Sequence, residues 1–334
     1  MLRLLTATLK AGPAIALALL LALSACQTPD TARQRPTGAA VSTNAPAYDL
    51  RQPNTLPARL AVPLAKRGPY LLAPARLNGQ AAGLFLLDTG SALDAVEIGL
   101  ANRMGLPRGR EGTAIGIGGR TQYHQRRVQR WQLNGVAMPS DTLAGLELRP
   151  LNEVAPFNAN GVVGYRALKG VPFTLDSREG ELILHNPRDF QPPDDAAPNR
   201  LLHYKYLPAI KATLSNDERV LLIIDSGADN AITLPRSVLK RWPEVAAVPE
   251  TGGGQSRGIG GSVRSTRTWL KSLSLFGLTL QDVPVAFESS GPGLQEAHLP
   301  VGRVGLELLQ HFRLTFEARE STLWVQWRPG QREK

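Results

Sequence analysis

Two uninterrupted apolar runs anchor the hydrophobic pattern of this chain: Leu84-Phe85-Leu86-Leu87 and Leu221-Leu222-Ile223-Ile224. Each is too short for a helix, so they predict strands buried on both faces. Around the first run, Tyr70 to Leu77 leads to a turn at Asn78-Gly79, and Gly83 to Leu87 follows, which predicts a hairpin. Trp131 to Leu133 before Asn134-Gly135, and Leu273 to Leu275 before Gly277, predict two more. Leu182-Ile183-Leu184 and Leu323-Trp324-Val325 read as further strands. Helical signals are short: Gly99 to Met104, and Pro235 to Trp242 with proline at its start. Plentiful Gly (32) and Pro (26) suit short strands and tight turns. The expected class is all-β with short helices.

The two runs belong to a longer repeat. Each ends in an aspartate and a small-residue turn, Asp88-Thr89-Gly90-Ser91 and Asp225-Ser226-Gly227-Ala228. Gly116-Ile117-Gly118-Gly119 returns as Gly258-Ile259-Gly260-Gly261, and Gly161-Val162-Val163-Gly164 as Gly302-Arg303-Val304-Gly305. Thr174, Arg178, Glu179 and Leu182 align without gaps to Thr315, Arg319, Glu320 and Leu323. Three landmarks in the same order, separated by about 140 residues each time, indicate duplication of a whole domain.

Domain boundaries follow from composition. Residues 1–25 start with Arg3 and Lys10, and Ala11 to Ala25 carries no charge, which reads as an export signal. Residues 26–58 are polar and lack apolar periodicity, as expected of a flexible tether. One half spans 59–190, a Pro- and Asp-containing linker 191–199, and the second half 200–329.

Charge and cysteine narrow the chemistry. The formal net charge is +10, of which Arg3 and Lys10 supply two. The charge is spread rather than blocked, so no charge-specific partner is expected. The densest cluster, Arg126-Arg127 with Arg130, has no interleaved aromatics, and nucleic acid is not an expected partner. The five histidines are scattered and the single cysteine excludes an internal disulfide. Neither a metal site nor a cofactor is expected. Leu23-Ser24-Ala25-Cys26 resembles a bacterial lipobox. That resemblance implies cleavage before Cys26 and its lipidation, hence a membrane anchor in the cell envelope. Gln27, rather than Asp, resembles the pattern sent to the outer membrane, facing the periplasm.

The repeated aspartates carry the candidate chemistry. Two carboxyls within hydrogen-bonding reach do not both ionise readily, so the pair holds one proton. The charged member can deprotonate water, and the protonated one can hydrogen-bond a carbonyl. Thr89 and Ser226 are small hydroxyl residues suited to locking two loops together, and Gly90 and Gly227 permit close backbone approach. With these motifs, the chain from Tyr70 to Val325 resembles the retropepsin-like aspartic proteases, in a tandem form like the two-lobed pepsins. The resemblance implies two β-barrel lobes related by a pseudo-two-fold axis, with Asp88 and Asp225 as catalytic pair and Thr89, Gly90, Ser91, Ser226, Gly227 and Ala228 as loop support. It implies flaps at Gly116, Ile117, Gly118 and Gly119 and at Gly258, Ile259, Gly260 and Gly261. The implied activity is endopeptidase hydrolysis of envelope or exported proteins or peptides.

Three points stay open in the sequence. Arg303 stands where the family has an apolar residue; it either points outward or alters the packing. The loop after Asp88 is one residue longer than that after Asp225. Ser91 faces Ala228 in the alignment, and a hydroxyl donating to Asp88 favours its charged form, so Asp88 is expected to be ionised and Asp225 protonated. A silent peptide-binding module using the same cleft is the alternative function. The short linker favours pairing of the halves within one monomer, the alternative being pairing between chains.

Overall fold

The computed structural model describes residues 48–153, 157–247, 251–289 and 299–328. Cys26, the export-signal segment and the tail from Gly330 lie outside them. The fold is all-β with short helices, arranged in three sheets. One sheet of ten strands is drawn from the first half, one of eight from the second, and one of six from both.

The two apolar runs occupy equivalent central positions. Strand Gly161–Gly164 lies between Gln80–Asp88, to which it is parallel, and Ala95–Glu97, to which it is antiparallel. Strand Val301–Val304 lies between Arg219–Ile224, parallel, and Ile232–Pro235, antiparallel. Burial from both faces explains the unbroken hydrophobicity of each run. The hairpin turns form as expected. Asn78 and Gly79 (φ 49° and 82°) and Asn134 and Gly135 (φ 46° and 87°) both supply two successive left-handed residues. The two expected helices form at Ile98–Arg103 and Arg236–Arg241, within a residue or so of the expected spans, and single turns of helix also form at Arg149–Asn152, Tyr165–Leu168 and Leu306–Leu309.

The third sheet joins the halves. Strands Phe173–Asp176 and Phe312–Glu317 pair antiparallel at its centre, with Phe173 opposite Phe316 and Thr174 opposite Thr315. The two phenylalanine rings stack with centroids 4.6 Å apart. The buried hydroxyls of Thr174 and Thr315 meet at 2.7 Å, and Thr174 also meets His185 Nε2 at 2.8 Å. Buried Asp176 of the first half takes Arg328 Nη1 at 3.0 Å and Arg313 Nε at 3.7 Å from the second. A single hydrophobic cluster runs through both halves and includes Tyr165, Phe173, Leu309 and Phe316.

Two segments differ from their compositional reading. Residues 48–57, expected within the tether, pack on the first half: Leu50 and Leu56 are buried and Asp49 bridges Ala137. Ala197–Arg200, at the end of the linker, forms an edge strand on Thr322–Trp327. Both are polar segments whose order comes from a neighbouring strand rather than from their own periodicity.

Candidate active site

The loops after the two apolar runs meet face to face. Thr89 Oγ1 donates to Ile224 O (2.7 Å) and accepts from Ser226 N (3.0 Å). Reciprocally, Ser226 Oγ donates to Leu87 O (2.9 Å) and accepts from Thr89 N (3.0 Å). Thr89 and Ser226 are both fully buried. Four polar backbone groups that neither strand could satisfy alone are therefore paired across the junction. The glycines do what close approach demands. A Cβ on Gly90 would lie 2.3 Å from Asp225 Cγ, and one on Gly227 would lie 2.5 Å from Asp88 Cγ. Each carboxyl thus sits against the opposite loop's glycine, close enough that the two shift each other's protonation.

Their protonation is unequal. Burial, then the charge of Asp225, pushes Asp88 well above the usual carboxylate range. Burial also raises Asp225, but the Arg303 guanidinium, the Gly227 and Ala228 N–H groups and a hydrogen bond from Asp88 all favour its charge. The guanidinium and the Gly227 N–H (2.9 Å) both lie on Asp225, so the surroundings favour charge there rather than on Asp88, against the expectation from Ser91. The Ser91 hydroxyl does not serve Asp88: it donates to Leu93 O (2.8 Å) and accepts from Leu93 N (3.2 Å). Arg303 does not point outward either. Its Nε lies 3.7 Å from Asp225 Oδ2 and its Nη2 2.7 Å from Glu288 Oε2.

Behind each loop a glycine fits where no side chain could. A Cβ on Gly164 would meet Leu93 O at 2.7 Å and Ser91 O at 2.8 Å; on Gly305 it would meet Asn230 O at 2.3 Å and Ala228 O at 2.8 Å. The following residue donates to the loop in both halves, Tyr165 N to Ser91 O and Leu306 N to Ala228 O. The halves differ one step on. Gly305 N reaches Ala231 O directly (3.0 Å). In the longer first-half loop, Gly164 N is met instead by the Asp94 carboxylate (2.9 Å). Burial raises the Asp94 pKa to about 6.

The two Gly-Ile-Gly-Gly segments are hairpin tips, between strands Arg108–Gly116 and Gly119–Arg127 and between Thr251–Gly258 and Gly261–Leu275. The tips touch each other. Gly118 N donates to Ile259 O (3.2 Å), and Gly260 lies so close to Gly119 that a Cβ would be 2.6 Å from its carbonyl oxygen. Ile259 reaches across to pack on a first-half cluster that includes Leu146 and Val162, as Leu93 and Tyr123 also do. Tyr123 lies flat over Gly112 on the paired strand, where a Cβ would meet its ring at 2.4 Å. Arg126, in the densest basic cluster, is buried and donates to Leu106 O and Asn102 Oδ1. The sequence reasoning left open where Arg303 points and did not single out Glu288. Val162, its counterpart in the repeat, is apolar, and that mismatch was the available signal.

The arrangement can hold one proton between two carboxyls seated against each other's loops. No curated protein matches the chain. A family model described as aspartyl protease matches residues 210–299, which takes in Asp225-Ser226-Gly227 and the second hairpin tip, and this match supports an aspartic protease family for the chain.

Proposed function

We propose that the chain is an aspartic endopeptidase whose two halves are lobes sharing one active site built on Asp88 and Asp225. The observation that carries this reading is the reciprocal lock of Thr89 and Ser226 with each aspartate seated against the opposite glycine. Asp225, charged, takes a proton from a water held between the carboxyls. Asp88, protonated, hydrogen-bonds the scissile carbonyl as the tetrahedral oxyanion develops. Asp225 then gives the proton it took to the leaving amine as the tetrahedral intermediate collapses to the carboxyl product, and both carboxyls end as they began. The crossed hairpin tips cover an extended peptide and exclude competing water. No metal and no covalent intermediate are needed.

The proposed setting is the cell envelope, with a lipid on Cys26 and envelope or exported polypeptides as substrates. The support is a lone cysteine at the end of an uncharged apolar stretch. Replacement Cys26→Ser is expected to move the protein out of the membrane fraction. For activity, the purified protein is incubated with a diverse peptide mixture from pH 3 to 8 and products are read by mass spectrometry. Asp88→Asn and Asp225→Asn each should lower cleavage by at least about 10²-fold. Cleavage that survives either change defeats the shared site. A folded wild type that cuts nothing leaves the silent peptide-binding module.

A further inference from the structure

Val162 and Arg303 occupy equivalent places. Each directly follows a strand glycine, Gly161 or Gly302, and lies opposite Leu86 in one ladder and Ile223 in the other. Val162 joins an apolar wall with Leu93, Leu146 and Ile259. Arg303 is only 12 % exposed in its side chain, and so is the carboxyl of Asp225 that it faces; Glu288, its other partner, is 8 % exposed. One cation is therefore shared by two buried carboxylates. The tighter contact goes to Glu288, and Arg303 Nε and Glu288 Oε1 are left with no hydrogen bond.

A purely structural role accounts poorly for this. A buried ion pair contributes little net stability relative to apolar residues of the same volume. The first half fills the same position with valine. The cation lies beside Asp225 alone, and of the groups that favour charge on that carboxyl it is the one that carries a full charge.

We propose that Arg303, held by Glu288, is a positioning residue that fixes Asp225 as the charged member of the pair and sets the pH range over which the pair keeps a single proton. This rests on Asp88 and Asp225 acting as the dyad. Around the pair stand Arg303 from strand Val301–Val304, Glu288 from Leu278–Glu288, and the Tyr70 hydroxyl with Asp229, whose charge acts on it. Burial, then Asp229, holds the Tyr70 hydroxyl neutral through the working range. Arg303 is thus the cation in contact with the dyad, and Glu288 is the anion that competes for it.

Opposite displacements follow. Loss of the Arg303 charge makes every ionisation of the pair harder, so both limbs of the pH–rate profile move up. Loss of the Glu288 charge leaves Arg303 wholly to Asp225, so both limbs move down. The full chain is compared as wild type, Arg303→Val, Arg303→Lys and Glu288→Gln, with kcat/KM measured against pH on one cleaved peptide. Arg303→Val should raise the acid limb by about one pH unit or more. Glu288→Gln should lower it by less, and Arg303→Lys should restore most of the wild-type position. In parallel, the aspartate carboxyl carbons are labelled with 13C and titrated by NMR, with Asp225→Asn identifying the resonance. That readout needs no turnover. Opposite shifts in the titration with no cleavage overturn the protease reading and leave the role of Arg303 standing. Cleavage with Arg303→Val and Glu288→Gln both titrating as wild type overturns the role of Arg303. Should Arg303→Val fail to fold, Arg303→Gln takes its place beside Glu288→Gln, and the same wild-type titration of both overturns it.

Discussion

The loop after Asp88 and the loop after Asp225 are built to the same backbone plan but surrounded differently. Where backbone meets backbone they match: reciprocal hydroxyl bonds, a glycine against the opposite carboxyl, and a second glycine behind each loop. Where side chains complete the surroundings they diverge. The first loop is longer and is closed by Asp94 on Gly164 N; the second is shorter, closes on itself, and has Arg303 and Glu288 beneath it. Contacts at the junction are made by both loops at once, so a change in one must be answered in the other. Residues one layer away face only their own half and are free to differ, and there the charge of each carboxyl is decided.

The largest effect should come from the matched part. Gly90→Ala and Gly227→Ala each place a methyl inside the opposite carboxyl group, 2.3 Å and 2.5 Å from its carbon. A displacement of the dyad by around an ångström is expected to lower kcat/KM by about 10²-fold. The two variants should suffer alike. A wide gap between them would break the symmetry of the contact.

Next come the hydroxyls. Thr89→Val and Ser226→Ala each strand a buried N–H and a buried C=O of the other loop. Each should lower the unfolding free energy by about 1–3 kcal/mol per orphaned group, read by chemical denaturation. Similar losses sharpen the comparison; a neutral result for one would mean that its loop finds other partners.

Much of this was legible in the sequence. The aspartate turns, both crossed hairpins, the Asn-Gly turns and the positions of the short helices depend on local chemistry and repetition. What could not be read depends on register and on neighbours. A four-residue strand such as Val301–Val304 does not disclose which face Arg303 takes until its pairing with Ile223 is known. The mismatch of Ser91 with Ala228 in the repeat points to Asp88, yet the hydroxyl is taken by its own loop through Leu93. Asp94 reads as a turn residue, and only the extra residue in its loop brings it to Gly164. The polar segment Ala197–Arg200 carries no alternation and becomes a strand because Thr322–Trp327 offers it an edge.

Two buried groups give opposite pH dependence to the junction and to the first loop. His185, bonded to Thr174, has its pKa lowered to about 4 by burial, then by Arg59 and Arg313. The unfolded chain takes up that proton near pH 6.5, so its contribution is complete above 6.5 and lost as pH falls toward 4. Asp94, with a pKa of about 6, behaves in reverse. An acid raised above its unfolded value destabilises as pH rises from 3.8 through 6. His185→Gln should remove about 1–2 kcal/mol of acid sensitivity, partial exposure limiting the effect. Asp94→Asn, which keeps an oxygen for Gly164 N, should raise stability at pH 7 and leave it unchanged at pH 3. Thermal melts across pH 3 to 8 check both signs.

The smallest expected effect is the sharpest test of how the loops differ. Ser91→Ala removes the hydroxyl that sets the first loop apart from Ala228 in the alignment. In the structure that hydroxyl both donates to and accepts from Leu93, and neither bond passes to Asp88. Its loss should cost at most about 1 kcal/mol of stability, because the exposed side of the loop lets water replace a half-buried bond. Both limbs of the pH–rate profile should stay where they are. A movement of the acid limb upward would mean that Ser91 turns toward Asp88 when substrate is bound. The inequality of the two carboxyls would then come from both loops, and Arg303 would no longer be sufficient to explain which of them carries the charge.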